Sequence, residues 1–283
     1  IVEQKTVHDQ GQFRVILSHA PGAPGHLSWL GEPAPMGALE YVSPDAYAVA
    51  GLLMEDPTLI LDDLIGMLSS EDPPSLGELQ QWQDRVGLDL RQDLAEPLGG
   101  EVVLALDGPV LPVPSWKVVL RVDDPARFEQ SLEKLWQELD RVAASEGKPG
   151  VQWSVEESGG VRYWLVRSTD NAFSASYRYH GGYFLMAPSR ALLDAAVQAR
   201  ESGLFLPASQ TFQALLPVDG RVDYSAFLYQ NVQPILGSLA DAIPRAKSAQ
   251  PGPPLALAAA AGELPPMLLC LAAGQDCVMV TGT

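Results

Sequence analysis

Residues Trp116 to Val142 leave this chain little freedom. Val118, Leu120 and Val122 alternate with Lys117 and Arg121, the period-two pattern of a strand that buries one face. Asp124 follows as a side-chain cap, and Pro125 takes the first helical position, where a missing N–H costs nothing. Phe128, Leu132, Leu135, Leu139 and Val142 then recur at helical spacing and predict one apolar stripe over 125–142. A strand that turns straight into an amphipathic helix requires a sheet and helices packed on it. It carries no chemistry.

At 283 residues the chain has enough length to bury a sizeable core in one large or two ordinary domains. Hydrophobic residues make up 47% and charged residues 19%, which points to a globular rather than a disordered chain. The formal net charge of −17 opposes phosphate backbones and anionic headgroups, so nucleic acid and electrostatic membrane binding are set aside. No run of about 18 apolar residues is present, so no bilayer span is expected. The sequence opens on Ile1 rather than methionine, and the expectation is a signal peptide or anchor upstream.

Taken in order, residues 1–31 hold one short apolar run, Phe13 to Leu17, before A-P-G-A-P-G, and read as an extended arm or linker without a core role. Ala46 to Leu53 reads as a strand. Asp56-Pro57 starts a helix that would turn Ile60, Leu64, Met67 and Leu68 inward, and Ser75 to Val86 a second. A further turn of helix is expected to leave through Gly99-Gly100, with a strand from Glu101 to Leu106. After the central strand and helix come short strands at 151–155, 161–166, 173–179 and 183–187, joined by E-S-G-G, S-T-D-N and H-G-G, which are turn sequences. Tight turns between adjacent strands mean an antiparallel meander.

Ser189 caps a helix bearing Leu192, Leu193, Ala196 and Val197, and another runs from Ser209 to Leu216. Strand Val222 to Tyr229 feeds a helix with Pro234 in its first turn, carrying Ile235, Leu236, Leu239 and Ile243 and stopped by Pro244. Residues 248–266 read as a low-complexity surface loop, and Met267 to Thr283 as a closing hairpin. The class is α+β: an antiparallel meander with helices on one side. The order strand, helix, helix, strand, helix from Ala46 and again from Tyr183 suggests two similar units, 32–168 and 169–283, in one or two domains.

Cys270 and Cys277 are the only cysteines. A hairpin symmetric about Ala273 and Gly274 would set them opposite one another, where a disulfide is geometrically feasible; two buried thiols are the alternative. The C-x6-C pair has no histidine nearby and makes a poor zinc site.

Three stretches carry a resemblance: P-M-G-A-L-E-Y-V-S-P-D-A-Y-A-V at 35–49, G-L-D-L-R-Q-D-L-A-E-P-L-G-G-E-V-V-L-A-L at 87–106 and V-L-R-V-D-D-P-A-R-F at 119–128. With Y-F-L-M-A-P-S-R-A-L-L-D-A-A at 183–196 and A-S-Q-T-F-Q-A-L-L-P at 208–217, they resemble, in the same order, a bacterial domain-of-unknown-function family over roughly 33–283. The resemblance implies an exported bacterial protein behind a signal peptide or a single membrane anchor. It implies no activity and no catalytic residues.

The residues themselves point the same way. His26-Leu27-Ser28 lacks the spacing and setting of a nucleophile elbow, and His180-Gly181-Gly182 is a hairpin turn before it is an oxyanion hole. Ser131-x-x-Lys134 lacks the partner motifs of penicillin-binding proteins. Asp62-Asp63, Asp123-Asp124 and Glu156-Glu157 are adjacent pairs whose side chains diverge. His8, His19, His26 and His180 show no metal spacing, and no cofactor motif is present.

Trp153, Tyr163, Trp164, Tyr177 and Tyr179 crowd the meander; they form either core or an aromatic binding face. The expectation is a non-enzymatic exported structural or interaction protein, an accessory subunit of a larger cell-envelope assembly, with other proteins as partners. The alternative is a carrier for an apolar ligand such as a lipid.

Overall fold

The computed structural model describes residues 2–7, 10–18, 29–71, 73–109, 115–217, 223–233, 265–274 and 277–282. The helix expected from Pro234 to Pro244, residues 248–264 of the loop expected at 248–266, and His8, His19 and His26 lie outside the described residues. The chain divides into two compact units that interleave along it: Ile1–Leu53, Val103–Lys117 and Ala195–Thr283 form the first, Met54–Val102 and Val118–Asp194 the second. This corrects the expected boundaries, because 168/169 falls inside the second unit and the arm belongs to the first. Antiparallel strands recruit partners from distant stretches, so consecutive residues need not share a unit.

In the first unit, strands β1 (Val2–Val7), β2 (Gln10–Ser18), β3 (Ala48–Leu53), β10 (Ala226–Gln230), β11 (Met267–Ala273) and β12 (Cys277–Gly282) lie in the order β1-β2-β12-β11-β10-β3. Every neighbouring pair is antiparallel. The stretch 1–31 is thus no linker: β2 is paired on both sides, by β1 and by β12. Helix α5 (Gln210–Leu215) begins as expected, with the Ser209 hydroxyl accepting from the Phe212 N–H at 3.2 Å.

Strands β4 (Leu98–Leu106) and β5 (Trp116–Val122) and helix α4 (Arg190–Ser202) each contribute residues to both units. Gly99-Gly100 opens β4 rather than closing a helix. Gly100 has φ +74°, and a Cβ there would stand 2.6 Å from the Met54 carbonyl oxygen. The preceding helical turn, Leu90–Ala95, is a π-turn capped by Asp89, whose carboxylate accepts from the Gln92 N–H.

Lys117 corrects the one-sided reading of β5. Its side chain is 5% exposed, and Nζ donates to Asp107 Oδ2 at 2.6 Å and to the Tyr41 carbonyl at 3.4 Å. Asp107 also accepts from the Ser43 N–H and hydroxyl, at 2.8 and 2.5 Å. A buried lysine is tolerable only with its charge matched, and Asp107 supplies the match here.

The second unit's strands are β5, β6 (Val151–Ser158), β7 (Val161–Ser168), β8 (Ser174–His180) and β9 (Tyr183–Ala187), in the antiparallel order β5-β9-β8-β7-β6. The meander is as expected. Gly159-Gly160 (φ +61°, +77°) and Gly181-Gly182 (φ +56°, +82°) make two-residue turns with positive φ at both positions, which only glycine and a few polar residues supply cheaply.

Helix α3 (Pro125–Ser145) is capped by Asp124, whose carboxylate accepts from the Arg127 N–H. Its Phe128 and Leu132 join Val122, Trp164, Val166, Tyr177 and Phe184 in one buried cluster, while Leu139 is exposed. Tyr163 points to the opposite face and bonds Asp194 on α4, so helices lie on both faces of this sheet and not on one. Helices α1 (Pro57–Glu71) and α2 (Pro73–Val86) complete the unit. Asp56 caps α1 by accepting from the Thr58 N–H and hydroxyl. The inward stripe of α1 is not realised: Leu64 and Met67 are exposed and Ile60 is half-buried, and Leu59 outside the stripe is exposed too. The side chain of Leu68 lies outside the described residues.

Candidate functional site

The five expected aromatics do not share a face. Trp164 stacks on Tyr177 with centroids 5.4 Å apart and planes 6° from parallel, and Tyr179 meets Trp164 and Phe184 edge-on at 5.5 and 5.6 Å. Trp153 is packed against this cluster, which α3 covers. Trp164 and Tyr177 are therefore core, and Trp153 and Tyr179 pack against that core half-buried. Tyr163, one residue from Trp164, belongs to the other side, where a strand's alternation must send it.

Within the cluster sits one carboxyl group. Glu129 of α3 accepts from the Tyr179 hydroxyl at 2.9 Å and the Tyr177 hydroxyl at 3.1 Å. Burial raises its pKa above the ordinary carboxylate value, against the lowering pull of the two phenols. Burial and then the Glu129 charge push both phenols far up, so they stay protonated donors. A helix position facing two tyrosines two residues apart on β8 was not legible, since it depends on how α3 lies on the sheet.

Three concavities of the described residues lie within single units; one of about 550 Å³ in the second unit is a polar hollow beside Gln152, Trp153, Glu156 and Arg167, and the other two are lined more by apolar or aromatic groups. In the first unit a pocket of about 330 Å³ is lined chiefly by apolar groups, among them Met36, Leu39, Phe205, Phe212 and Phe227, with Glu40 and Asp223 as its carboxylates. Glu40 accepts from Arg200 Nε at 3.0 Å, and Arg200 also lies 4.9 Å from the Tyr41 ring centroid and donates to its hydroxyl. The walls come from a 3-10 turn at Gly37–Tyr41, a second at Leu206–Ala208, α5 and β10. None of these residues stands out as a site residue in the sequence, although 35–49 and 208–217 carry the resemblance, because the pocket gathers stretches that are remote along the chain.

In the second unit a cleft of about 370 Å³ opens between the tips of two hairpins, walled by Val161, Arg162, Trp164, Arg178 and Tyr179 with Glu157 beside them. The cause is a split in the sheet. The β7–β8 ladder runs from Arg167↔Ser174 to Trp164↔Tyr177 and ends there. Beyond it β7 continues with β6 as far as Ser158↔Val161, and β8 with β9 as far as His180↔Tyr183.

Five of the other sequence candidates have structural partners. Ser131 donates to the Arg127 carbonyl at 2.9 Å and Lys134 to the Gly87 carbonyl at 2.7 Å. Asp62 pairs with Arg91, Asp123 with Arg121, and Asp124 is a cap. Among the described residues no three His, Cys, Asp or Glu side chains converge to hold a metal ion. No described helix is long and apolar enough to cross a membrane.

The cysteine geometry is corrected by the hairpin's register. Thr281 lies opposite Cys270 and Ser18 opposite Cys277, and Cys270 carries a buried thiol. The β11–β12 register, which sets Ala273 opposite Val278, displaces the two cysteines from one another.

Compared with family models, with curated proteins and with solved structures, the chain matches none.

Proposed function

We propose that this chain is a non-enzymatic interaction protein, exported in a bacterium and docked as an accessory subunit on a larger cell-envelope assembly. The observation that carries the reading is α1, which leaves Leu59, Leu64 and Met67 exposed at 39%, 47% and 39% of their surface. Large apolar side chains grouped on one helix favour a partner over water. Asp62 and Asp63 sit among them on the same helix, in a chain of net charge −17, so the partner's complement is an apolar patch rimmed by lysine or arginine. The exported location rests on the family resemblance alone.

Tagged protein purified from its native membranes under mild detergent tests this. The wild type brings a stoichiometric partner, and a Leu64→Asp, Met67→Asp variant with unchanged circular dichroism loses it. Identical company for both, or none for the wild type, defeats the reading.

A second reading, a carrier for an apolar ligand, is favoured by the first unit's pocket, whose volume of about 330 Å³ sits at the small end of ligand sites. It accommodates a short acyl or aryl group. Native mass spectrometry distinguishes the readings: an apolar adduct displaced by Phe212→Asp supports the carrier, and bare protein with an intact partner supports the subunit. The proposal extends to the origin of the fold. The order β3-α1-α2-β4 recurs as β9-α4-α5-β10, which supports duplication of one unit.

A further inference from the structure

Beside the split between β7 and β8 lies a buried cation with an unused donor. Arg178 is 8% exposed and lines the cleft, and its Nε has no hydrogen-bond partner. Its Nη1 reaches Asp194 Oδ1 and the Tyr163 hydroxyl only at 3.4 Å each. That same Asp194 oxygen accepts from the Tyr163 hydroxyl at 2.5 Å, and the other lies 3.8 Å from Arg190 Nε. Two guanidinium groups therefore share one carboxylate, and the closer claim on it belongs to a phenol. A guanidinium taken out of water with a donor idle is costly unless something else supplies an acceptor.

The surroundings state what that acceptor is attached to. Arg178 lies on the Tyr163 face of the sheet, and Trp164 and Tyr179 on the other; a continuous ladder would keep them apart. Because the ladder stops at Trp164↔Tyr177, one cleft reaches both sets. Its walls are two aromatic rings, the Val161 side chain and Arg162, whose guanidinium carbon is 5.9 Å from the Trp164 ring centroid. Glu157, opposite Arg162 in the β6–β7 register, is the carboxylate that lines it.

We propose that this cleft binds a small organic monocarboxylate with a flat apolar body. The carboxylate meets the Arg178 fork, and the body lies against Trp164 and Tyr179. A guanidinium matches a carboxylate two bonds at a time. A doubly charged phosphate is disfavoured by Glu157 and by the net charge of −17. The site is independent of α1, so its failure leaves the subunit reading intact and the reverse also holds.

1-Naphthoate is the probe, titrated into the full chain by calorimetry and by tryptophan fluorescence. Saturable binding is expected, with the neutral 1-naphthalenemethanol weaker by about tenfold or more, the worth of a charge-assisted hydrogen bond. Inorganic phosphate at equal concentration does not compete. Arg178→Met loses the preference for the acid over the alcohol, while Lys148→Ala, an exposed residue paired with Glu146 away from the cleft, keeps it. If Arg178→Met fails to fold, the ¹⁵N resonance of the Arg178 Nε–H in the wild type decides, since it shifts in step with naphthoate occupancy. Equal affinity for acid and alcohol, no saturation with naphthoate, or an Arg178 resonance that ignores a saturating ligand overturns the proposal.

Discussion

Helices α1 and α3 begin alike and end differently. Each opens with Asp-Pro, and in each the aspartate accepts from the N–H two or three residues on. α3 sets Phe128 and Leu132 into the cluster with Trp164 and Tyr177, whereas α1 turns Leu59, Leu64 and Met67 outward. The difference teaches where local sequence stops informing. A cap is decided by three or four neighbouring residues, but the face a helix buries is decided by what lies beside it. α1 is apolar on more than one side, so its composition names no single inward stripe.

The comparison breaks first under core truncation. Phe128→Ala removes a ring 6% exposed that meets Phe184 edge-on at 5.5 Å, and it is expected to cost about 3–5 kcal/mol. Leu64→Ala on α1 is expected to stay within about 0.5 kcal/mol. Denaturant midpoints of the two variants measure both; equal losses would mean that α1 is as embedded as α3.

The caps should instead make the helices look the same. Asp124→Ala and Asp56→Ala are each expected to cost about 1 kcal/mol. Thermal melts in parallel check it, and a cap worth nothing on α1 would show that its first turn is held from outside.

The smallest effect at neutral pH separates the helices by charge. Asp62 of α1 forms an ion pair at the surface with Arg91, whereas Glu129 of α3 is turned onto two phenols. Burial raises the folded-state pKa of Glu129, so the native protein holds that proton at pH values where the unfolded chain has released it. Its contribution is fully present below the unfolded value and is lost as pH rises through the folded one. Glu129→Gln keeps an acceptor for the tyrosines and flattens that slope, as urea midpoints between pH 4 and pH 7 would show. An unchanged slope would mean that the carboxyl titrates as an exposed one.

Much of the second unit was legible because its information is local. Strand Tyr183–Ala187 falls where its composition placed it, and the two Gly-Gly turns supply the positive φ that tight hairpins need. Lys117 was not legible. It alternates with apolar residues as a solvent-facing lysine would, and its burial depends on Asp107 and on the Tyr41 carbonyl, 76 positions away in sequence. Arg178 escaped for the same reason, since its cleft exists only where a ladder ends. The cysteines were misplaced by a shift of register that no composition records.

The arm that reads as a linker has the longest reach. Strand β2, at Gln10–Ser18, is held on one side by Cys277–Gly282, so it emerges from the ribosome long before the residues that complete its hydrogen bonding. At about 5–20 residues per second it waits roughly ten to fifty seconds with that flank open. A nascent hairpin with an unpaired edge is a target for chaperones, and for a neighbouring copy on the same message. The first unit is therefore a fold finished only when translation reaches its last strand.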